Sequence, residues 1–369
     1  MSADAGIGPK PFPATPPGIA VRAAFAVHQW IRRATDRVVP ADLLAYELIS
    51  GALITTLLGA AARHRVFDLL IERPQTGAEI AARIGADRDA THRMLRGLAL
   101  VRVVRLGSDG RFHATRVARA LASDRLSRMR EIAASAAAAG ELRALAEFAH
   151  TLATGTSAFA RANGIGVWEW YDADPIEREL FAEAMMGMTI HAAPMIAKLY
   201  PFSELAIVCD VGGGRGALLS ELLVRHPHLR GVLCDRLGVL ESAPSLLAAR
   251  GVGDRVTLAP GNFLDRVPPG ADGYVLKHVL NDWDDAHATQ ILGVIRRAMV
   301  PGQKLLVCEP LIEHSEVSYT ALADVHMMAI CGGRERSLAD FHRLFAASGF
   351  VPARVYRYPT ISIVEASAA

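Results

Sequence analysis

From Phe202 onward the sequence alternates between short β-rich runs and helical stretches of about a dozen residues, and this alternation limits the fold more than any other feature. The runs are Leu205 to Cys209, Gly231 to Cys234, Val256 to Leu258, Gly273 to Leu276 and Lys304 to Cys308. Strands that alternate with helices form a parallel, doubly wound sheet. Ligands bind such sheets at the carboxyl ends of the strands, so the residues that end each run are the candidates.

The first run ends in Asp210 and continues into Val211-Gly212-Gly213-Gly214-Arg215-Gly216. Glycines there allow a sharp turn and a close approach to a ligand, and the next helix N-terminus can face an anion or a carboxylate. The loop alone does not choose the ligand. Gly212, Gly214 and Ala217 also satisfy the dinucleotide pattern G-x-G-x-x-A, with Asp235 placed for ribose hydroxyls. Gly261-Asn262-Phe263 follows the third run and offers an amide and an aromatic face to an adenine ring, or an ordinary turn. The fourth run leads through Lys277 into Asn281-Asp282-Trp283-Asp284-Asp285, part of which reads as a helix N-cap with acidic first-turn residues. Glu309 ends the fifth, where a carboxylate buried without a partner is costly and therefore points to a role.

The N-terminal half is mostly helical from Ile19 to about Tyr200, with breaks at Pro40, Pro74, Gly85, Gly140 and Gly164. Thr76-Gly77-Ala78-Glu79 is a capping box that starts a helix ending at Gly85. A second helix spans about Asp89 to Val101, and Val103 to Thr115 reads as two short strands joined at Gly107-Ser108-Asp109-Gly110. Helix, turn, helix and hairpin make a winged helix. Arg88, His92, Arg93, Arg96 and Arg102 on its second helix admit a DNA-binding reading. A net charge of +2 over 369 residues gives that reading no general electrostatic support.

A chain of 369 residues is expected to hold two domains. Cys209, Cys234, Cys308 and Cys331 lie in or beside apolar runs without C-x-x-C spacing, so reduced, buried thiols and no metal site are expected. Residues 1–18 are rich in proline and glycine, lack a signal-peptide pattern and read as a flexible arm. Leu48 to Ala62, the longest apolar segment, is too short for a bilayer and reads as a buried or dimer-forming helix. A cytoplasmic protein with neither membrane nor nucleic-acid partners is expected.

The order of these motifs resembles the class I S-adenosylmethionine-dependent O-methyltransferases of the plant caffeate type and their bacterial secondary-metabolite relatives. The resemblance rests on Asp210 to Gly216, Asp235, Gly261-Asn262-Phe263, Leu276 to Asp285, Glu309, and Gly332-Gly333-Arg334-Glu335-Arg336-Ser337 before Asp340 to Phe350. It implies an α/β fold: a Rossmann-like methyltransferase domain with a doubly wound, mostly parallel sheet over 201–369. A mainly α-helical winged-helix dimerisation and substrate-capping domain over 19–200 would precede it. S-Adenosylmethionine would bind against Asp210, Gly212, Gly214, Asp235, Gly261, Asn262, Phe263 and Lys277. Gly212 and neighbouring amides would hold its methionine part, Asp235 its ribose, and Asn262 and Phe263 its adenine. The chain would be a homodimer through its N-terminal domain. Trp168, Met185, His326 and Ile330 match stretches that line the small-molecule acceptor pocket in relatives, as do Trp170, Phe181, Met186 and Met327.

One position departs from the family. Most relatives carry His-Asp-Trp, with the histidine as general base and two glutamates orienting it; here Asn281 stands in the histidine's place while Glu309 and Glu335 remain. His278, three residues earlier, is not that base. An amide does not take up protons at neutral pH, so the expectation is O-methylation of a small aromatic or polyketide-like hydroxyl acceptor by proximity, with Asn281 hydrogen-bonding the acceptor oxygen. Two other readings remain: a non-methylating catalyst on the same fold, of pericyclase or hydroxylase type, and a cofactor-sensing DNA-binding regulator. The glutamate pair argues against the regulator.

Overall fold

The computed structural model describes residues 7–123, 125–312 and 319–369. They form two compact units, one comprising residues 19–142 and 175–188, the other the described residues up to Gly18 together with 143–174 and 189–369.

In the first unit the short strands β1 (Val104–Leu106) and β2 (Phe112–Ala114) pair antiparallel, as the hairpin at 103–115 predicts. The capping box forms: Thr76 Oγ1 accepts from Glu79 N at 3.2 Å, and Thr76 N donates to the Glu79 carboxylate at 2.7 Å. Helices Gly77–Ile84 and Arg88–Leu100 follow it. Phe67, Ile80, Leu95, Leu98 and Phe112 fill the core beneath them. The apolar segment at 48–62 is a bent pair, Ala41–Ile49 and Gly51–Arg63, with a 45° break between them. Its second helix buries Gly59, Ala61 and Ala62, while Leu48, Ile49 and Leu53 stay exposed. Helix Gly18–Asp36 buries none of its residues, and Ile19, Val27 and Trp30 lie on its open surface.

The second unit is built on seven strands: β3 (Ile207–Val211), β4 (Arg230–Asp235), β5 (Val256–Pro260), β6 (Gly273–Lys277), β7 (Lys304–Glu309), β8 (Phe350–Tyr358) and β9 (Ile361–Ala368). Their order is β5-β4-β3-β6-β7-β9-β8. The five β-rich runs of the sequence are the five parallel strands. Cys209, Val211, Leu276, Leu305 and Val307 lie in one buried cluster with Phe341 and Phe345 of helix Leu338–Ala347. The hairpin β8–β9 was not anticipated; β9 pairs antiparallel with both β7 and β8.

Three boundaries differ from the sequence reading. Residues 143–174 and 189–200 belong with the sheet and not with the N-terminal helices. Gly140 lies inside helix Ala139–Ala146 instead of breaking one. The expected flexible arm is seated from residue 7: Ile7 and Phe12 are buried, and Phe12 N donates to Glu221 Oε2 at 2.9 Å. Arg250, itself buried, pairs with Glu221 at 2.6 Å, donates to Gly8 O at 3.0 Å, and lies 4.0 Å from the Phe12 ring. An arm with this many buried partners is an ordered part of the unit. Among the described residues Pro175–Leu199 is the longest apolar helix, and 56% of its most apolar stretch is buried, as in a core helix.

Candidate active site

The glycine loop leaves β3 and enters helix Ala217–Arg225. Gly214 has φ +58°, and a Cβ added there would meet nothing within 4 Å, so backbone faces open space. Asp235 closes over this loop: one carboxylate oxygen accepts from Gly214 N at 2.8 Å and the other from Arg236 N at 2.7 Å. Asp210 is buried, and its Oδ2 has no hydrogen-bond partner among the described residues. Burial and the neighbouring Asp235 push its carboxyl up to about 7, against the pull of Lys277. Lys277, brought down to about 8 by burial, donates to Thr189 Oγ1 at 3.0 Å. These groups converge on the carboxyl ends of β3, β4 and β6.

Gly261, Asn262 and Phe263 follow β5. Asn262 is exposed and its Oδ1 accepts from Leu264 N at 3.0 Å, the turn chemistry the sequence left open. That oxygen keeps a second lone pair, so the amide is not excluded from a ligand. Phe263 packs edge-on to Trp283, with ring centroids 6.3 Å apart.

The segment after β6 divides by function. His278 takes a left-handed φ of +51°, and burial keeps its ring neutral by lowering its pKa well below the usual histidine range. Leu280–Asp282 forms a 3-10 turn, and Asp284 caps helix Asp285–Ala298 by accepting from His287 N at 2.8 Å. Asn281 lies buried in that turn. Glu309, fully buried at the end of β7, accepts from Leu280 N at 2.9 Å and Asn281 N at 3.2 Å through Oε1. Asn281 Nδ2 donates to Glu335 Oε1 at 3.1 Å. The buried oxygens Asn281 Oδ1, Glu309 Oε2 and Glu335 Oε2 have no partners among the described residues. The structure thus gathers Asn281, Glu309 and Glu335 from three segments into one buried cluster.

Two contacts hold the cluster that the sequence did not reveal. A Cβ on Gly333 would fall 2.1 Å from Asn281 O, so only glycine lets the 332–337 loop lie against the turn, where Arg334 N donates to Asn281 O at 2.9 Å. Arg336 is fully buried and donates to Leu280 O at 2.5 Å, Trp283 O at 2.8 Å and Asp285 Oδ1 at 2.8 Å. One guanidinium satisfies three acceptors of the turn, a use for which its planar fork is suited. The invisible signal was the pairing of Arg336 with carbonyls, which carry no sequence identity.

The expected acceptor-pocket residues are distributed. Trp168, on helix Val167–Ala173, stacks on Trp283 at 5.7 Å with 24° between ring planes. Arg236 lies 6.0 Å over Trp168 and pairs with Asp172 at 2.7 Å. His326 and Ile330 share helix Tyr319–Ile330, with His326 half-buried and Ile330 buried. Met185 lies in the other unit, on helix Pro175–Leu199. Cys209, Cys234 and Cys308 are buried and Cys331 half-buried.

A sheet with one antiparallel strand inserted at β9, a glycine loop after β3, and carboxylates at the ends of β4 and β7 define the S-adenosylmethionine-dependent methyltransferase class. Comparison with known proteins narrows it. Residues 144–351 match the O-methyltransferase domain model and residues 46–124 the O-methyltransferase dimerisation domain. The mitomycin biosynthesis 6-O-methyltransferase of Streptomyces lavendulae is 38% identical over 82% of this chain and 87% of its own. The solved structure of a mitomycin 7-O-methyltransferase superposes with TM-score 0.85 at 36% identity, covering 92% of this chain and 99% of that one. A neocarzinostatin-pathway O-methyltransferase, solved with S-adenosylmethionine and 2-hydroxy-5-methyl naphthoic acid, gives TM-score 0.77 at 33% identity, over 85% and 96%. The aclacinomycin 10-hydroxylase of Streptomyces purpurascens is 32% identical over 81% of this chain and 82% of its own. The chain belongs to the O-methyltransferase family, and it is an S-adenosylmethionine-dependent methyltransferase.

Proposed function

We propose that this protein methylates a hydroxyl of a small aromatic or polyketide-like acceptor in secondary metabolism, by positioning rather than through the histidine base of its relatives. The observation that carries this reading is Asn281, buried between two glutamates, with Nδ2 engaged by Glu335 and Oδ1 without a partner. One Nδ2 hydrogen is held by Glu335 Oε1, and the second would donate to the acceptor oxygen, which keeps Asn281 in the role expected of it.

The residues around the glycine loop fit the cofactor. The open backbone at Gly214 admits a ligand, and the orphaned Asp210 Oδ2 suits a cationic donor. Asp210, Gly212 and Gly214 would hold the methionine part, Asp235 the ribose, and Gly261, Asn262 and Phe263 the adenine, with Lys277 nearby. When bound, the cofactor supplies a methyl group on an already activated sulfonium, so alignment of the nucleophile provides much of the acceleration. Trp168, His326 and Ile330 would border the acceptor. The chain would act as a cytoplasmic homodimer, with the exposed apolar residues of helix Gly18–Asp36 and of Leu48 to Leu53 against a second copy.

Methyl-labelled cofactor incubated with phenols, enols and amines tests the reading. Label in a hydroxyl acceptor supports it, and conversion of acceptor without label refutes it. The hydroxylase relative makes a non-methylating reaction the second reading. Asn281→His is the companion: a rate that rises with pH as imidazole deprotonates shows that proton removal had been limiting.

A further inference from the structure

Replacing histidine by asparagine removes a base, yet the cluster around Asn281 contains an oxygen that can take its place. Glu335 is buried, and its backbone is fixed by donation of its N–H to Asp324 Oδ1 at 2.8 Å. Asn281 Nδ2 occupies Oε1 at 3.1 Å, which sets the rotation of the carboxylate and leaves Oε2 without a partner among the described residues. Glu309 is held differently. Burial raises its carboxyl, but its Oε1 takes two backbone N–H groups, Leu280 and Asn281, which oppose that rise and occupy the oxygen.

We propose that Glu335 is a catalytic residue whose Oε2 accepts the proton lost by the acceptor hydroxyl, with Asn281 fixing the carboxylate that does so. This rests on the O-methylation reading above. The acceptor oxygen gives its proton to Oε2 as it bonds to the methyl carbon, the carbon–sulfur bonding pair stays on sulfur, and Glu335 later releases the proton to solvent.

The surroundings tune Glu335 for this. Burial first, then Glu309 and Asp324, push its carboxyl up to about 7, while Asn281 and Arg336 oppose the rise. Asp282 is likewise pushed well above its ordinary value, by burial first and then by Glu309 and Glu335, while Lys277 opposes that shift. A general base works best when its pKa lies near the working pH, and Glu335 meets that condition.

Glu335→Gln keeps the acceptor atom for Asn281 and removes the base. For an acceptor phenol that is neutral in solution, kcat/KM should fall about 100-fold or more at pH 8, and the acid limb near neutrality should vanish. For a nitro-substituted phenol that is already ionised, the loss should stay below about tenfold. Equal losses for both phenols, or an unchanged acid limb, would overturn the proposal. Infrared titration of the S-adenosylhomocysteine-bound protein, wild type minus Glu335→Gln, reads the carboxyl without turnover. A band titrating near neutrality is expected, and one titrating in the ordinary carboxylate range refutes Glu335 as the proton acceptor whatever the label does. A wild type that labels no hydroxyl acceptor refutes instead the O-methylation reading on which the step depends.

Discussion

Arg336→Met tests whether the turn that carries Asn281 is held from the outside. The guanidinium donates to Leu280 O at 2.5 Å, Trp283 O at 2.8 Å and Asp285 Oδ1 at 2.8 and 3.0 Å. Methionine fills much of the same volume and donates nothing. Hydrogen bonds to a charged donor contribute roughly 1.5–3 kcal/mol each, so the two carbonyls account for about 3–6 kcal/mol. Asp285 is half-exposed, and its share is small once water screens it. Relief of the buried charge offsets part of the loss, which leaves a destabilisation of roughly 3–5 kcal/mol. At about 2–4 °C per kcal/mol for a chain of some hundreds of residues, the apparent Tm should drop by about 6–20 °C. Differential scanning calorimetry with and without S-adenosylhomocysteine measures it. Arg336→Lys should recover little, because one ammonium does not span three acceptors. An Arg336→Met protein that melts within a degree of wild type would refute the claim that Arg336 holds the turn.

Gly333→Ala should be as damaging at the site as in the melt, because the new Cβ would lie 2.1 Å from Asn281 O; normal acceptor KM in a folded variant would contradict the close approach. Asp210 binds a proton in the folded state up to about 7 that the unfolded chain releases near 4, so its contribution to stability is lost as pH rises through that window. Asp210→Asn should therefore gain on wild type by roughly 3–4 kcal/mol between about pH 4 and pH 8 in urea midpoints without cofactor, and a constant difference would sink the assignment. Arg250→Ala should release the arm, and hydrogen exchange at Phe12 N should accelerate by at least about tenfold, the equivalent of about 1.4 kcal/mol; unchanged protection would show that Glu221 alone suffices.

The five parallel strands and the polar residues at their ends were legible because periodicity and strand-end position are local signals. The capping box at Thr76 and the N-cap at Asp284 were legible for the same reason. What was hidden depends on residues far apart in sequence. Phe350–Tyr358 reads Phe-Val-Pro-Ala-Arg-Val-Tyr-Arg-Tyr, with an interior proline and two arginines, and proline argues against a central strand. It is an edge strand with a register shift between Pro352 and Val355, which tolerates both. The seating of the arm needed Glu221 and Arg250, more than 200 residues away. The engagement of Asn281 Nδ2 by Glu335 likewise lies across 54 residues. Without it, the orientation of the amide could not be assigned.

The place of β9 bears on how the protein comes into being. Residues 361–368 lie between β7 and β8, hydrogen-bonded on both sides. On a ribosome, β7 emerges well before the strand that covers it. Until residues 361–368 arrive, the strand that ends in Glu309 is a bare apolar edge, and such edges recruit other chains. A chain clipped before Ile361 would keep that edge permanently and should aggregate even with every cofactor and proton-handling residue in its sequence.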